Sequence, residues 1–212
     1  MKPRATYPMP LLLLGLFTLS SCVGMRTRGS HPDTYQKRTE VVAAAQGLIG
    51  KNEIKFGETK YPYDCSGFVR AVYEQTLGVK LFKVTHSTKG KNGVELIFTY
   101  LQENGKLYKG GVPDEGDIVF FDKTYDLNKD GRLNDRLTHA GIVEKVDRHK
   151  TITFIHVTPD GIERAYINLA HPHTGVNPEN KETYNTPVRQ KFGKTKRKVL
   201  AGELFRAFGS VF

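Results

Sequence analysis

The feature that most constrains the fold is a change of hydrophobic period along the chain. Up to about residue 105 the apolar residues recur every three or four positions, whereas beyond it they gather into short β-branched and aromatic runs cut by turn residues. Val41, Val42, Ala44, Ala45, Leu48 and Ile49 predict a helix ending at Gly50. Phe68, Val69, Val72, Tyr73 and Leu77 predict a second, over Cys65 to Leu77 and stopped by Gly78. Leu96, Ile97, Tyr100 and Leu101 predict a third over Val94 to Leu101, with Asn104-Gly105 as its end. Asp117 to Phe121, His139 to Val146 and Thr151 to Val157 then read as strands. Helices first and an antiparallel sheet afterwards is the α+β pattern, and residues 35–212 read as one domain without internal repeats.

The N-terminus is of a different kind. Met1-Lys2-Pro3-Arg4 is charged, Leu11 to Leu19 is apolar and too short to span a bilayer, and Leu19-Ser20-Ser21-Cys22 supplies small residues before a cysteine. This run resembles the lipobox of bacterial lipoproteins. The resemblance implies removal of residues 1–21 as a signal peptide and acylation of Cys22, so that the chain is anchored to a membrane of the cell envelope, facing the periplasm in a Gram-negative source. Residues 22–34 are polar and read as a tether. The formal charge of +10 suits anionic wall polymers or lipid head groups, since export removes access to nucleic acid. Part of that charge is one late run, Arg189, Lys191, Lys194, Lys196, Arg197 and Lys198, which by default is a solvated segment.

With Cys22 committed to lipid, Cys65 is the only thiol left, and no disulfide is open to it. A lone cysteine is most often a small core residue. Here it opens a helix in an exported chain, where unpaired N–H groups and the helix dipole favour the thiolate and lower the thiol pKa. The same N–H groups can hold an oxyanion. A thiol nucleophile also needs a base and a group to orient that base. If residues 139–146 and 151–157 form a hairpin across the Asp147 to Lys150 turn, His139 faces position 158 or 159, close to His156.

Asp64-Cys65-Ser66-Gly67-Phe68-Val69, Gly116-Asp117-Ile118-Val119-Phe120-Phe121, His139-Ala140-Gly141-Ile142-Val143 and Phe154-Ile155-His156, in that order, resemble the NlpC/P60 cell-wall peptidases over about residues 38–170. The resemblance implies a papain-like fold, with N-terminal helices packed on a small antiparallel sheet, and hydrolysis of peptidoglycan stem peptides without a required cofactor. It implies Cys65 as nucleophile, His139 as base and His156 as the polar residue that orients it. Asp64 and Ser66 match positions that bind the free amine of the stem peptide, although both also suit a helix cap. A non-catalytic wall-binding lipoprotein and an amidase or acyltransferase of related fold are the alternatives. Zinc on Cys65, His139 and His156 lacks paired ligand spacing.

Two stretches depart from the family pattern. The position of a family tyrosine upstream of the nucleophile holds Ile54, with Tyr61 and Tyr63 nearby to substitute. The polar insertion 122–138 carries Asp126, Asn128, Asp130, Asn134 and Asp135 with Gly131 among them, which begins like an EF-hand calcium loop but has Leu137 where a closing glutamate belongs. A structural calcium and a plain turn are both open readings of it. Residues 171–212 read as a basic C-terminal extension, within which Ala201 to Phe208 is apolar enough to dock on the core.

Overall fold

The computed structural model describes residues 32–83, 85, 88, 90–188 and 198–212. The expected signal segment 1–21, Cys22, the expected tether up to residue 31 and the basic residues 189–197 lie outside the described residues.

The first helix, α1 (Pro32–Gly47), starts well before the apolar residues that predicted it. Proline is tolerated in a first turn, where its missing N–H has no partner to lose, and Asp33 beside it meets the helix dipole and pairs with Lys37 at 2.8 Å. Residues 32–34, expected in the tether, are therefore its first turn. The helix buries Val41, Val42 and Ala45, and Leu48 to Gly50 continue it only as a turn. A short hairpin follows, β1 (Ile54–Phe56) with β2 (Thr59–Tyr61), missed in the sequence because three-residue strands carry almost no periodicity.

Helix α2 (Cys65–Leu77) has the predicted ends for local reasons. The Asp64 side chain accepts the Gly67 N–H at 2.7 Å, and Gly78 closes the helix at φ 67°. Gly67 is required by space, since a Cβ there would lie 2.1 Å from the Pro62 carbonyl oxygen. The inner face buries Phe68, Val69, Val72 and Tyr73, and complete burial of such side chains is worth about 1.5–3 kcal/mol each. Helix α3 (Gly93–Asn104) is capped by Asn92, whose Oδ1 accepts the Val94 N–H at 3.0 Å.

The remaining strands are β3 (Lys106–Tyr108), β4 (Ile118–Phe121), β5 (His139–Val146), β6 (Ile152–Thr158), β7 (Gly161–Ile167) and β8 (Phe205–Ser210). They form one antiparallel sheet in the order β3-β8-β4-β5-β6-β7. The β5–β6 hairpin has the expected register, with Ile142 opposite Ile155 and Val143 opposite Phe154, and a bulge before Lys145–Thr153. Together the helices and sheet make the expected α+β fold, with the N-terminal helices on one face of the sheet and Cys65 at a helix start.

Continuous apolar runs such as Ile118 to Phe121 follow from burial on both faces. Ile118, Phe120, Ile142 and Ile155 meet the helices, whereas Val119, Phe121, Val143 and Phe154 pack under Val199, Ala201, Leu204 and Phe208. The segment 198–212 thus closes a second core. It passes through a single turn, α4 (Ala201–Leu204), and enters the sheet between β3 and β4, with Phe208 opposite both Tyr108 and Val119. The end of the chain is therefore part of the sheet instead of an extension from it, because a strand in that slot satisfies ladder hydrogen bonds on both of its edges.

A buried ion pair ties α1 to this sheet. Arg38 Nη1 donates to Asp117 Oδ1 and to the Glu115 carbonyl, each at 2.8 Å, while Nη2 donates to Ser210 Oγ at 3.1 Å. The Tyr108 hydroxyl donates to the other carboxylate oxygen of Asp117, and the Phe212 ring lies 4.2 Å from the Arg38 guanidinium.

Candidate active site

Cys65 occupies the first turn of α2 because Asp64 caps that helix, and the Asp64 Oδ1 that holds the Gly67 N–H also accepts the Ser66 hydroxyl at 2.7 Å. Both residues that were expected to bind substrate thus have a part in the cap. Asp64 lines the cleft described below, and Ser66 does not.

His139 begins β5 and His156 lies near the end of β6. The hairpin brings His139 Nε2 to 2.8 Å from His156 Nδ1, with the rings edge to face at 5.0 Å between centroids. The Phe121 and Phe154 rings flank the pair. With Nε2 engaged, Nδ1 is the free ring nitrogen of His139.

The entry to β5 is held from outside the sheet. Leu137 has φ 52°, a left-handed conformation that costs a branched residue energy, and side chains clamp both of its backbone groups. Its N–H donates to Asp122 Oδ1 at 2.8 Å, and its carbonyl accepts from Asn92 Nδ2 at 2.6 Å. The α3 cap residue thus fixes the chain two residues before His139. Sequence reasoning missed Asn92, whose one signal was an asparagine just before a helix.

Cys65, His139 and His156 line one cleft of about 730 Å³. Among the described residues its charged walls are Asp64, Asp160 and Glu163, with no lysine or arginine, in a chain of formal charge +10. Of the two tyrosines near Ile54, Tyr63 reaches the cleft and donates its hydroxyl hydrogen to the Lys51 carbonyl at 2.8 Å. Tyr61 is buried and accepts from Gln75, and Ile54 belongs to the core.

The electrostatics overturn one expectation. Burial pushes the Cys65 thiol up to about 12, and the Asp64 charge adds to this, against N–H groups of Ala140, Ser66 and Cys65 that pull the other way. Desolvation outweighs the helix start. Burial also pushes His139 down to about 4, and burial together with His139 lowers His156. The resting site holds a neutral thiol beside neutral imidazoles. Below their ordinary value near 6.5 these histidines take up protons more readily in the unfolded chain, so stability falls as pH drops from about 6.5 toward 4. The raised thiol acts oppositely, and stability from it is lost only above its ordinary value near 9. Thermal melts across pH 4–8 should show the acid loss in wild type and a smaller loss in His156→Gln. Alkylation of Cys65 by iodoacetamide should accelerate steadily with pH through neutrality, without a plateau of reactive thiolate at pH 5.

The insertion forms a turn whose acids serve their own backbone. Asp126 accepts from the Asp130 and Gly131 N–H groups at 3.2 and 2.9 Å, Asn128 and Asp130 accept from Asp130 and Arg132, and Asp135 accepts from Leu127. Asn134 is exposed. Among the described residues no three His, Cys, Asp or Glu side chains are grouped to hold a metal ion, and His139 and His156 engage each other.

The NlpC/P60 family model matches residues 51–173, more than half of the chain. The chain belongs to the NlpC/P60 family. The match takes in Cys65, His139 and His156 but begins after α1, later than the span expected from the motifs, and ends before β8. Among solved structures the chain is similar to the NlpC/p60 domain of the peptidoglycan hydrolase SagA, with 19% identity over 60% of this chain and 86% of that one and a TM-score of 0.35. No curated protein matches it.

Proposed function

We propose that this protein is a cysteine peptidase that hydrolyses amide bonds in peptidoglycan stem peptides. The observation that carries the reading is the 2.8 Å His139–His156 pair in one cleft with a helix-start cysteine, inside the span that matches the family. In this reading Cys65 is the nucleophile. Because the resting thiol is neutral, its proton passes to His139 Nδ1 as the S–C bond forms, so that a free thiolate need not accumulate. The carbonyl oxygen, becoming an oxyanion, is held by N–H groups at the start of α2. Protonated His139 then hands its proton to the departing amine, and water activated by the same ring releases the acyl group from sulfur. His156 holds His139 by its Nε2 throughout. The acidic walls suit a substrate carrying a free ammonium group, which in this reading Asp64 meets from the cleft wall while Ser66, outside the cleft, holds the Asp64 carboxylate by its hydroxyl.

Purified sacculi and isolated stem peptides, incubated with the enzyme and analysed by mass spectrometry, test the proposal. Appearance of paired fragments with a new amine and a new carboxylate is expected, and unchanged peptides would overturn it. Cosedimentation with sacculi without cleavage would favour a wall-binding protein.

We also propose that Cys22 is acylated and anchors the chain to the envelope. Wild type should then enter the detergent phase on partitioning and Cys22→Ala the aqueous phase, whereas equal partitioning would remove the anchor. The two readings of the Asp126 to Asp135 loop separate in a thermal melt. A calcium brace raises the melting temperature in a way that Asp130→Ala erases, by about 2.7 kcal/mol of stability at a hundredfold excess over Kd. A plain turn leaves it the same in millimolar calcium and in chelator.

A further inference from the structure

One buried polar group at the site is unsatisfied, and the β6–β7 ladder sets an exposed carboxylate opposite it. His156 is 3% exposed, its Nδ1 is taken by His139, and its Nε2 is buried with no hydrogen-bond partner. Directly across the ladder from it stands Glu163, an exposed residue of the same cleft with no hydrogen bond or ion pair among the described residues. Residues directly opposed in an antiparallel pair point to the same face with Cβ atoms roughly 4.5–5.5 Å apart, within reach of a glutamate side chain.

The chemistry fixes which way the histidine pair must be protonated. For His139 Nδ1 to take the Cys65 proton it must be bare, so the ring hydrogen sits on Nε2 and is donated to His156 Nδ1. His156 then carries its own hydrogen on Nε2, and the unsatisfied atom is a buried donor. Leaving such a donor unmade is unfavourable, and the other tautomer of His156 escapes it only by donating from Nδ1 to His139. That reversal puts the hydrogen of His139 on Nδ1 and removes the base. An acceptor at His156 Nε2 therefore decides whether the site is competent.

We propose that Glu163 is that acceptor, a positioning residue that by rotation of its side chain takes the His156 Nε2 hydrogen and holds both rings in the productive tautomer. The inference rests on the peptidase reading of the cleft. The titratable groups lining the cleft with the pair are, among the described residues, Tyr63, Asp64 and Cys65 at the start of α2, Tyr125 from the segment after β4, Asp160 from the β6–β7 turn and Glu163 itself. Of these, only Glu163 shares a ladder position with His156.

Glu163→Leu removes the acceptor, and Glu163→Gln keeps a carbonyl oxygen in its place without the charge. Leu should lower kcat on a stem peptide about tenfold or more with KM nearly unchanged, and Gln should restore most of it. The acid limb of the kcat profile should move to lower pH in both, since a carboxylate favours the protonated pair. Nitrogen NMR of the resting wild-type enzyme should show His156 as the Nε2–H tautomer, and of Glu163→Leu as a mixture. An Nδ1–H tautomer in wild type would overturn the proposal without any assay of activity. So would a Leu variant with unchanged kcat, or one in which KM alone rises, which would make Glu163 a substrate contact. If no stem peptide is cleaved by wild type, the peptidase reading fails while the tautomer measurement still decides the role of Glu163.

Discussion

Purified Cys65→Ala is expected to release no fragments from sacculi while melting within a few degrees of wild type. In the proposed mechanism the thiol forms the bond to the reacting carbonyl, and no other described side chain in the cleft is a cysteine or serine that could replace it. His139→Ala leaves the nucleophile in place and loses proton transfer, which contributes about 10²–10⁴-fold. Its rate therefore falls by that factor and remains measurable above the Cys65→Ala background. His156→Ala falls less than His139→Ala, since His156 acts through the ring it holds at 2.8 Å. Rates of fragment release for the three variants, with melting curves as a control, check the order. Near-normal release by Cys65→Ala would exclude a cysteine mechanism.

The second large effect is on stability and lies away from the cleft. Arg38 and Asp117 have side chains 12% and 1% exposed, and together they collect Tyr108, Ser210 and the Glu115 carbonyl. Removing Arg38 strands Asp117 as a buried charge, at a cost of about 3–5 kcal/mol, whereas removing Asp117 leaves Arg38 Nη2 3.8 Å from Asp114 and costs less. Arg38→Ala should then lower the melting temperature by roughly 6–20 °C for a chain of this size, and Asp117→Ala by less. The double variant Arg38→Met with Asp117→Leu should lose less than the sum of the singles, because neither charge is left alone. Melts of the four proteins form the double-mutant cycle, and strict additivity would show that the pair is uncoupled. Activity per folded molecule should be unaffected, since neither residue lines the cleft.

Much of this site was legible in the chain because its determinants are local. The ends of α2 are set by Asp64 and Gly78 and by the spacing of Phe68, Val69, Val72 and Tyr73, all within one helix length. The β5–β6 register follows from one short turn, where Asp147 Oδ1 accepts the His149 and Thr151 N–H groups at 2.8 Å each. A hairpin with its turn fixed has little freedom in its pairing, so His139 and His156 could be put together without any long-range information. The four motifs in order carried the family in the same way.

What remained hidden depends on residues far apart. The place of β8 between β3 and β4 joins Lys106 to Ser210 and Val119 to Phe208, pairings that no local pattern encodes. The clamp on Leu137 needs Asn92, and the partner of Arg38 is Asp117. The thiol pKa was misread for the same reason. A helix start can be read from sequence, but its effect on Cys65 is outweighed by desolvation, which exists only once β5 and β6 have packed against α2. The chain by itself determined the helix start at Cys65 and the pairing of His139 with His156, because cap, helix and hairpin are short-range. Only the tertiary structure decided the charge state of that pair, the carboxylate opposite His156 and the strand that completes the sheet, because burial and cross-ladder placement are properties of the packed molecule.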